Sequence, residues 1–312
     1  MTDKIAAREA YGNALAKYGA MYDIVVLDAD LSKSTKTSVF KNKFPDRFFN
    51  MGIAESDMIS TAAGLAACGK VVFASSFAIF ASGRAFEQIR NSVCYPGLNV
   101  KIGASHAGIS VGEDGASHQS IEDIAIMRAI PGMTVICPAD AIETDAAVKA
   151  AIRHNGPVYL RLGRLPVPII FDEPTYEFKI GKGITLRQGD DVTIIATGLM
   201  LFEAVEAANQ LAAQGIHARV INIHTVKPID SDIIIKAAKE TGAIVTAEEH
   251  NIIGGLGSAV AEVVCTNYPV PMKMVGIKDR FGKSGKPTEL LKLYGLTADD
   301  IIEKVKYVLK NK

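Results

Sequence analysis

The sequence predicts an α/β protein built from two parallel-sheet α/β domains. Three observations carry that expectation. Short β-branched runs alternate with longer alanine-rich stretches along most of the 312 residues. The β-branched runs are apolar almost throughout, as strands are when helices cover both faces of their sheet. A break, Pro166-Val167-Pro168-Ile169-Ile170-Phe171-Asp172-Glu173-Pro174, puts three prolines in nine residues between two such series, and proline at that density holds a chain extended.

The elements follow in order. Lys4 to Lys17 reads as a helix. Strands are expected at 23–28, 70–74, 100–103, 133–138 and 157–161, each a buried apolar run. Helices are expected near Ser56–Cys68, Gly83–Val93, Ser120–Ala129 and Ala141–Arg153. The second series begins near Asp191, with strands at 192–196, 217–222 and 243–247. Its helices are Phe202–Ala213, Ile233–Glu240, one opening near Gly257, and Ala298–Leu309 with a lysine-rich end that suits its dipole. The expected organisation is a first domain over 1–170, a linker over 171–188 and a second domain over 189–312.

Composition narrows the class. Hydrophobic residues make up 48% and charged residues 22%, as in soluble globular chains. Lysine plus arginine equals aspartate plus glutamate at 34 each. A balanced chain has no global attraction for nucleic acid or an anionic membrane, though a local basic pocket remains open. Cys68, Cys94, Cys137 and Cys265 lack metal-ligand or redox spacing. They are expected to be free, buried thiols in a reducing compartment. The start, Met1-Thr2-Asp3-Lys4, is polar, with no secretory core behind it and no bilayer-length apolar run in the chain. A cytoplasmic location is expected.

The densest chemistry lies in Gly112-Glu113-Asp114-Gly115-Ala116-Ser117-His118-Gln119, with His106 twelve positions before His118. Such a loop either aims polar groups into a pocket or is a solvated glycine turn. Glu55, in Asn50-Met51-Gly52-Ile53-Ala54-Glu55, sits where a loop enters a helix. It is either a partly exposed acid stabilising the helix N-terminus or a functional acid. Phe73, Phe77, Phe80 and Phe86 either fill a core or leave a ring face for a planar ligand. Asp28-Ala29-Asp30-Leu31-Ser32-Lys33-Ser34 follows the first strand, at the strand end where α/β sheets bind ligands. Arg161 and Arg164 suit a phosphate or carboxylate, or else surface ion pairs. Gly254-Gly255-Leu256-Gly257-Ser258 has the wrong glycine spacing for a dinucleotide loop and reads as a tight turn at a domain contact. His154, His217, His224 and His250 have no evident metal partners.

Taken together, Gly52-Ile53-Ala54-Glu55, Phe77-x-x-Phe80-Ala81-x-Gly83 and Gly112-Glu113-Asp114-Gly115-x-Ser117-His118-Gln119 resemble the C-terminal half of transketolase over nearly the whole chain. One departure is Ser120, where that family usually has proline. The resemblance implies a pyrimidine-binding domain followed by the family's smaller C-terminal domain. It implies thiamine diphosphate as cofactor, with Glu55 at the N1′ nitrogen of the aminopyrimidine, Phe77 and Phe80 stacking on that ring, and Asp30 near the thiazolium. His106 and His118 correspond to paired histidines that move substrate hydroxyl protons. Asp114 would select a sugar hydroxyl. Arg164, Ser34 and Arg8 would hold the sugar phosphate, Arg8 on the strength of Ala6-Ala7-Arg8 alone.

The Gly-Asp-Gly segment and later asparagine that hold the metal and diphosphate in that family are not found; the one Asp-Gly step is Asp114-Gly115. The resemblance therefore implies one subunit of a split transketolase. An N-terminal partner subunit would supply magnesium (or calcium) and half of the cofactor pocket, within a pair of heterodimers. Sugar phosphates of a pentose-phosphate route are the default substrates. Similarity also extends to 1-deoxyxylulose-5-phosphate synthase through Arg84-Ala85-Phe86-Glu87-Gln88, but that family does not normally place a histidine where His106 stands. The beta chain of 2-oxoacid dehydrogenases lacks the Gly-Glu-Asp-Gly-x-Ser-His-Gln form. A non-catalytic scaffold of the same fold is the remaining alternative.

Overall fold

The computed structural model describes residues 4–172 and 175–312. Met1, Thr2 and Asp3 of the polar start, and Glu173 and Pro174 of the proline-rich break, lie outside the described residues. The first half comprises β1 (Lys4–Ala6), α1 (Ala7–Tyr18), β2 (Ile24–Asp28), α2 (Ser32–Thr35), α3 (Ser38–Lys43), β3 (Phe48–Asn50), α4 (Glu55–Ala67) and β4 (Val71–Phe77). It continues through α5 (Phe86–Gln88), β5 (Val100–Ser105), α6 (Asp123–Ala129), β6 (Thr134–Ile136), α7 (Ala141–Arg153), β7 (Val158–Arg161) and β8 (Pro166–Pro168). The second half holds β9 (Ile184–Arg187), β10 (Val192–Ala196), α8 (Met200–Ala212), β11 (Ala218–Asn222), β12 (Thr225–Lys227), α9 (Ser231–Thr241) and β13 (Ile244–Asn251). It ends with α10 (Leu256–Asn267), β14 (Met272–Ile277), α11 (Pro287–Leu293) and α12 (Ala298–Leu309).

The α/β class is as expected, with one qualification. Two sheets run in the orders β12-β6-β7-β5-β4-β2-β3 and β14-β13-β10-β11-β9. Each is parallel except at one edge, where β12 and β9 pair antiparallel. Alternation along a strand sends side chains to opposite faces. Val25 and Leu27 pack with Met58 and Ile59 of α4, whereas Ile24 and Val26 pack with Tyr11 and Leu15 of α1. The second sheet repeats this, with Ile194 facing Leu201 and Leu211 of α8 while Ile195 faces Leu256 and Val260 of α10.

Four local expectations differ from the structure. Lys4–Ala6 is a strand rather than the first turn of a helix, because the extended Pro166–Pro168 segment offers it an antiparallel edge with Ile5 opposite Val167. The helix expected from Ser120 starts at Asp123, whose side chain is engaged by Arg161 and Tyr159. The stretch expected as a helix from Gly83 turns helically from Phe80 to Cys94, with wide π-type turns at Phe80–Arg84 and Ile89–Cys94, a geometry that recurs at functional sites. Strand β12 comes from the second half of the sequence yet closes the edge of the first sheet, with Thr225 opposite Ile136. Cys94 and Cys137 are buried as expected, but Cys68 and Cys265 are exposed; all four are free. Among the described residues no helix is long and apolar enough to cross a membrane.

Candidate active site

The site forms at the carboxyl ends of β2, β4 and β5, where a parallel sheet leaves a crevice. Strand β4 delivers Phe77 and, one turn on, Phe80; their rings lie parallel within 15° at 5.8 Å. Strand β5 delivers His106, whose imidazole stacks on Phe77 at 3.9 Å. His118 approaches Phe80 edge-on at 5.2 Å. The loop therefore brings both histidines, 12 residues apart, to the same pair of rings. Glu55 opens α4 and its carboxyl is 4% exposed, so the expectation of a partly exposed acid is wrong. Its partner is Arg84, at 3.2 and 3.3 Å from the two carboxyl oxygens. Arg84 also lies over the Phe80 face at 4.3 Å. Its side chain is 52% exposed.

Cations gather around His106. Arg8 donates to the Ser34 carbonyl at 3.1 Å and lies 3.4 Å from His106 Nε2, so three of the expected residues meet. Arg8 Nε is buried with no hydrogen-bond partner. Burial, then the neighbouring Arg164 cation, lowers the pKa of Arg8. Burial, Arg8, Arg164 and His118 together push His106 down to about 3, so its imidazole is neutral at physiological pH. Its Nδ1 sits 2.9 Å from Ser105 Oγ. Arg164 donates to the Val111 carbonyl and to Glu113 Oε2, the latter at 3.2 Å. Glu113 is held low by its own amide and by Arg164. Asp114 is exposed on the same loop.

Asp30 stands apart from the ring column. It is exposed, has φ 63°, and is tied to Asn50 by a 2.8 Å hydrogen bond from Asn50 Nδ2 and a 3.1 Å bond from its own amide. Asp28 beneath it is fully buried and accepts from the Leu31 amide, Thr35 and Thr37. It fixes the α2 segment that carries Ser34.

Several residues carry roles that the sequence alone does not reveal. Arg84 belongs to a motif, but nothing in that motif marks it as a partner of Glu55. Arg161 is neither a ligand group nor a surface pair: it is buried against Asp123 at 2.9 Å. Glu249, from the second sheet, accepts the Ser110 amide at 2.6 Å inside the histidine loop. No local pattern links positions 139 apart. The glycine run before α10 is a tight turn at a domain contact, as expected. Glu248 accepts the Leu256 and Gly257 amides there, each at 2.7 Å, and Arg128 donates to the Gly254 carbonyl at 2.7 Å. The Glu248 carboxyl thus occupies the helix start that a phosphate would otherwise take. Among the described residues no group of three or more His, Cys, Asp or Glu is placed to hold a metal ion.

Comparison with known proteins bears on this geometry. The family pattern described as "Transketolase, pyrimidine binding domain" matches residues 3–168, and "Transketolase, C-terminal domain" matches residues 181–301. A protein of Methanocaldococcus jannaschii described as "Putative transketolase C-terminal section" is 53% identical, over 97% of this chain and 96% of its own. The "6-deoxy-6-sulfo-D-fructose transketolase subunit SqwH" of Clostridium sp. is 47% identical, over 98% of this chain and 95% of its own. The solved structure titled "Split gene transketolase, inactive beta4 tetramer" superposes with a TM-score of 0.92 at 56% identity, covering 98% of this chain and 99% of that one.

Proposed function

This chain belongs to the transketolase family, and from that premise we propose that it is the C-terminal subunit of a split, thiamine-diphosphate-dependent transketolase. The reaction is transfer of a two-carbon ketol unit from a ketose phosphate to an aldose phosphate. The observation that carries the reading is the convergence of Glu55, Phe77, Phe80, His106 and His118 at one crevice. The residues fit the cofactor's aminopyrimidine: a buried carboxyl is joined through Arg84 to a half-buried Phe80 ring that lies parallel to Phe77. Bound thiamine diphosphate supplies the electron sink for the two-carbon transfer.

The chain's own residues do the rest. Glu55 hydrogen-bonds the pyrimidine nitrogen, and Phe77 and Phe80 orient the ring. His106, its imidazole neutral, hydrogen-bonds a substrate hydroxyl, and His118 beside it is the imidazole that takes and returns the hydroxyl proton. Arg8, with its free buried Nε, and Arg164, with Ser34 at the Arg8 contact, hold the sugar's terminal anion. Asp114 would meet a sugar hydroxyl, and Asp30 would lie near the thiazolium.

The first unit ends near residue 170 and the second begins with β9 (Ile184–Arg187) at the edge of the second sheet, so the connector is shorter than the 171–188 expected from the sequence. A separate N-terminal subunit supplies the magnesium or calcium and the diphosphate half of the pocket, and the assembly is a pair of heterodimers. The words "C-terminal section", "subunit" and "inactive" in the names of the similar proteins support this arrangement. The test is to assemble the chain with an N-terminal transketolase subunit, thiamine diphosphate and magnesium, and to assay ketol transfer. Activity is expected in the complex and not in the chain alone. No transfer by an assembled, cofactor-loaded complex across a panel of ketose phosphates contradicts the reading.

A further inference from the structure

The loop that carries both histidines is built by the first half of the chain and held by the second. It leaves β5 at His106, which has φ 58°, a conformation that a bulky residue keeps only where its surroundings fix it. Two residues on, Gly108 has φ 82° and ψ −176°, and its Cα faces the Glu249 carboxyl so closely that no Cβ fits between them. Glu249 Oε1 then accepts the Ser110 amide at 2.6 Å, inside the short turn Ile109–Val111.

Glu249 is itself fixed. It stands near the end of β13, is buried, and its backbone carbonyl accepts from Arg161 at 2.9 Å. Arg161 in turn is locked to Asp123 and the Ser120 carbonyl. The same Ser120 carbonyl accepts the Gly108 amide at 2.8 Å. Thus both ends of the loop, at Gly108 and at Ser120, and its middle at Ser110 are referenced to one rigid point on the second sheet. Further along, Gln119 donates to the Lys283 carbonyl at 2.8 Å, and a Cβ at Gly112 would meet Pro287 at 2.9 Å. Of these contacts, the Glu249 carboxyl alone reaches the loop through a single removable side-chain group of the second sheet.

We propose that Glu249 is a positioning residue for ketol transfer: by holding the Ser110 amide it sets where His106 and His118 stand against the substrate. The inference rests on the reading of those histidines as the substrate-handling pair. It assigns the second domain a direct part in the active site through the loop, although among the described residues the rings Phe77 and Phe80 and the histidines beside them all come from the first half of the chain.

The experiment uses the full chain assembled with its N-terminal subunit, thiamine diphosphate and magnesium. Glu249→Ala, Glu249→Gln and Glu249→Asp are compared for donor kcat and KM, cofactor affinity, and hydrogen exchange at the Ser110 amide. Loss of one hydrogen bond to a buried carboxyl predicts a fall of about 10- to 100-fold in donor kcat/KM for Glu249→Ala, with Ser110 exchanging at least about tenfold faster. Cofactor affinity stays within about twofold, since Glu55 and Phe77 are untouched. Glu249→Gln, whose amide oxygen still accepts, stays within about threefold of the parent in kcat/KM. Should the alanine variant fail to assemble, Glu249→Asp decides, because it is one methylene too short to reach Ser110 and is expected to lose activity as alanine would. Donor kcat/KM within about twofold of the parent in the alanine or aspartate variant, or undiminished Ser110 protection, overturns the proposal. His106→Ala and His118→Ala run beside it. If both leave donor kcat/KM unchanged, the reading of the histidines fails, while Ser110 exchange still reports whether Glu249 holds the loop.

Discussion

Replacing Gly108 by alanine tests how tightly the two halves of the chain are fitted at the histidine loop. Gly108 has φ 82° and ψ −176°, a region of backbone space that is essentially glycine's own and costs an L-residue about 1–3 kcal/mol. The new methyl group would also collide with the Glu249 carboxyl. The carboxyl must then withdraw from the Ser110 amide, leaving a buried donor unpaired at about 1–3 kcal/mol. The two terms sum to about 2–6 kcal/mol, a large part of the ~5–15 kcal/mol that folded domains have. At ~2 °C per kcal/mol for a chain of this size, the melting temperature falls by about 4–12 °C. Gly64→Ala is the control. Gly64 is exposed on α4, and beyond its own chain neighbours and helix backbone no atom lies within 4 Å of where its Cβ would stand; alanine there stabilises by about 1 kcal/mol. Thermal melts of the two variants beside the parent, with ketol transfer measured in the assembled complex, provide the assay. A Gly108→Ala protein that melts within about 1 °C of the parent, well short of the shift expected from these terms, and keeps its activity would refute the fit between loop and second sheet.

Three other outcomes follow from the site. Glu55→Ala removes the one carboxyl beside the stacked rings and lowers ketol transfer by about 10²–10⁴-fold, with the complex still assembled. Because Glu55 is buried, the same variant also loses about 1 kcal/mol of stability, and near-normal turnover would contradict its role. Arg164→Ala raises KM for phosphorylated donors while leaving unphosphorylated ones little changed; equal losses on both argue against an anion site. His106 is pushed down to about 3 by burial and by Arg8, Arg164 and His118, below the ~6.5 of an unfolded histidine. The unfolded chain therefore binds the extra proton first. The stability tied to neutral His106 is complete above about pH 6.5 and is lost as the pH falls from there towards 3. His106→Gln is expected to flatten that acid decline in melting temperature, and an unchanged slope would place the imidazole in water.

Much of the fold is legible in the sequence because burial on both faces leaves a strong mark. Runs such as Ile24–Asp28 and Val192–Ala196 are apolar at nearly every position of the pleat. Helices α7 and α12 are readable to the residue at both ends, the first opened by Asp140 capping the Glu143 amide and the second by a Thr297–Asp300 capping box. Elements whose pairing is decided elsewhere are not legible. The short strands β1, β3, β9 and β12 lie at sheet edges or on a proline-rich partner, and their three or four residues carry no period. Helix α11 does leave a signal, proline at its first position.

The site shows the same division. Glu55, Phe77, Phe80 and both histidines stand in short motifs and are found together with Arg8, Ser34 and Arg164. What the motifs do not contain is depth. The sequence does not say that Glu55 is buried, that Arg84 folds back over Phe80, or that Arg161 turns inward to Asp123. Those facts depend on contacts between elements distant in the chain, of which Ser110 with Glu249 is the extreme case.

The central claim is that this chain forms one wall of a coenzyme pocket and needs a second chain for the other. Titration calorimetry with thiamine diphosphate and magnesium on the chain alone, on an N-terminal subunit alone and on their complex tests it most directly. The account predicts heat of binding in the complex only, and its loss when Phe77 and Phe80 are both replaced by alanine. Tight cofactor binding by the isolated chain, or a complex that assembles and binds none, would contradict it.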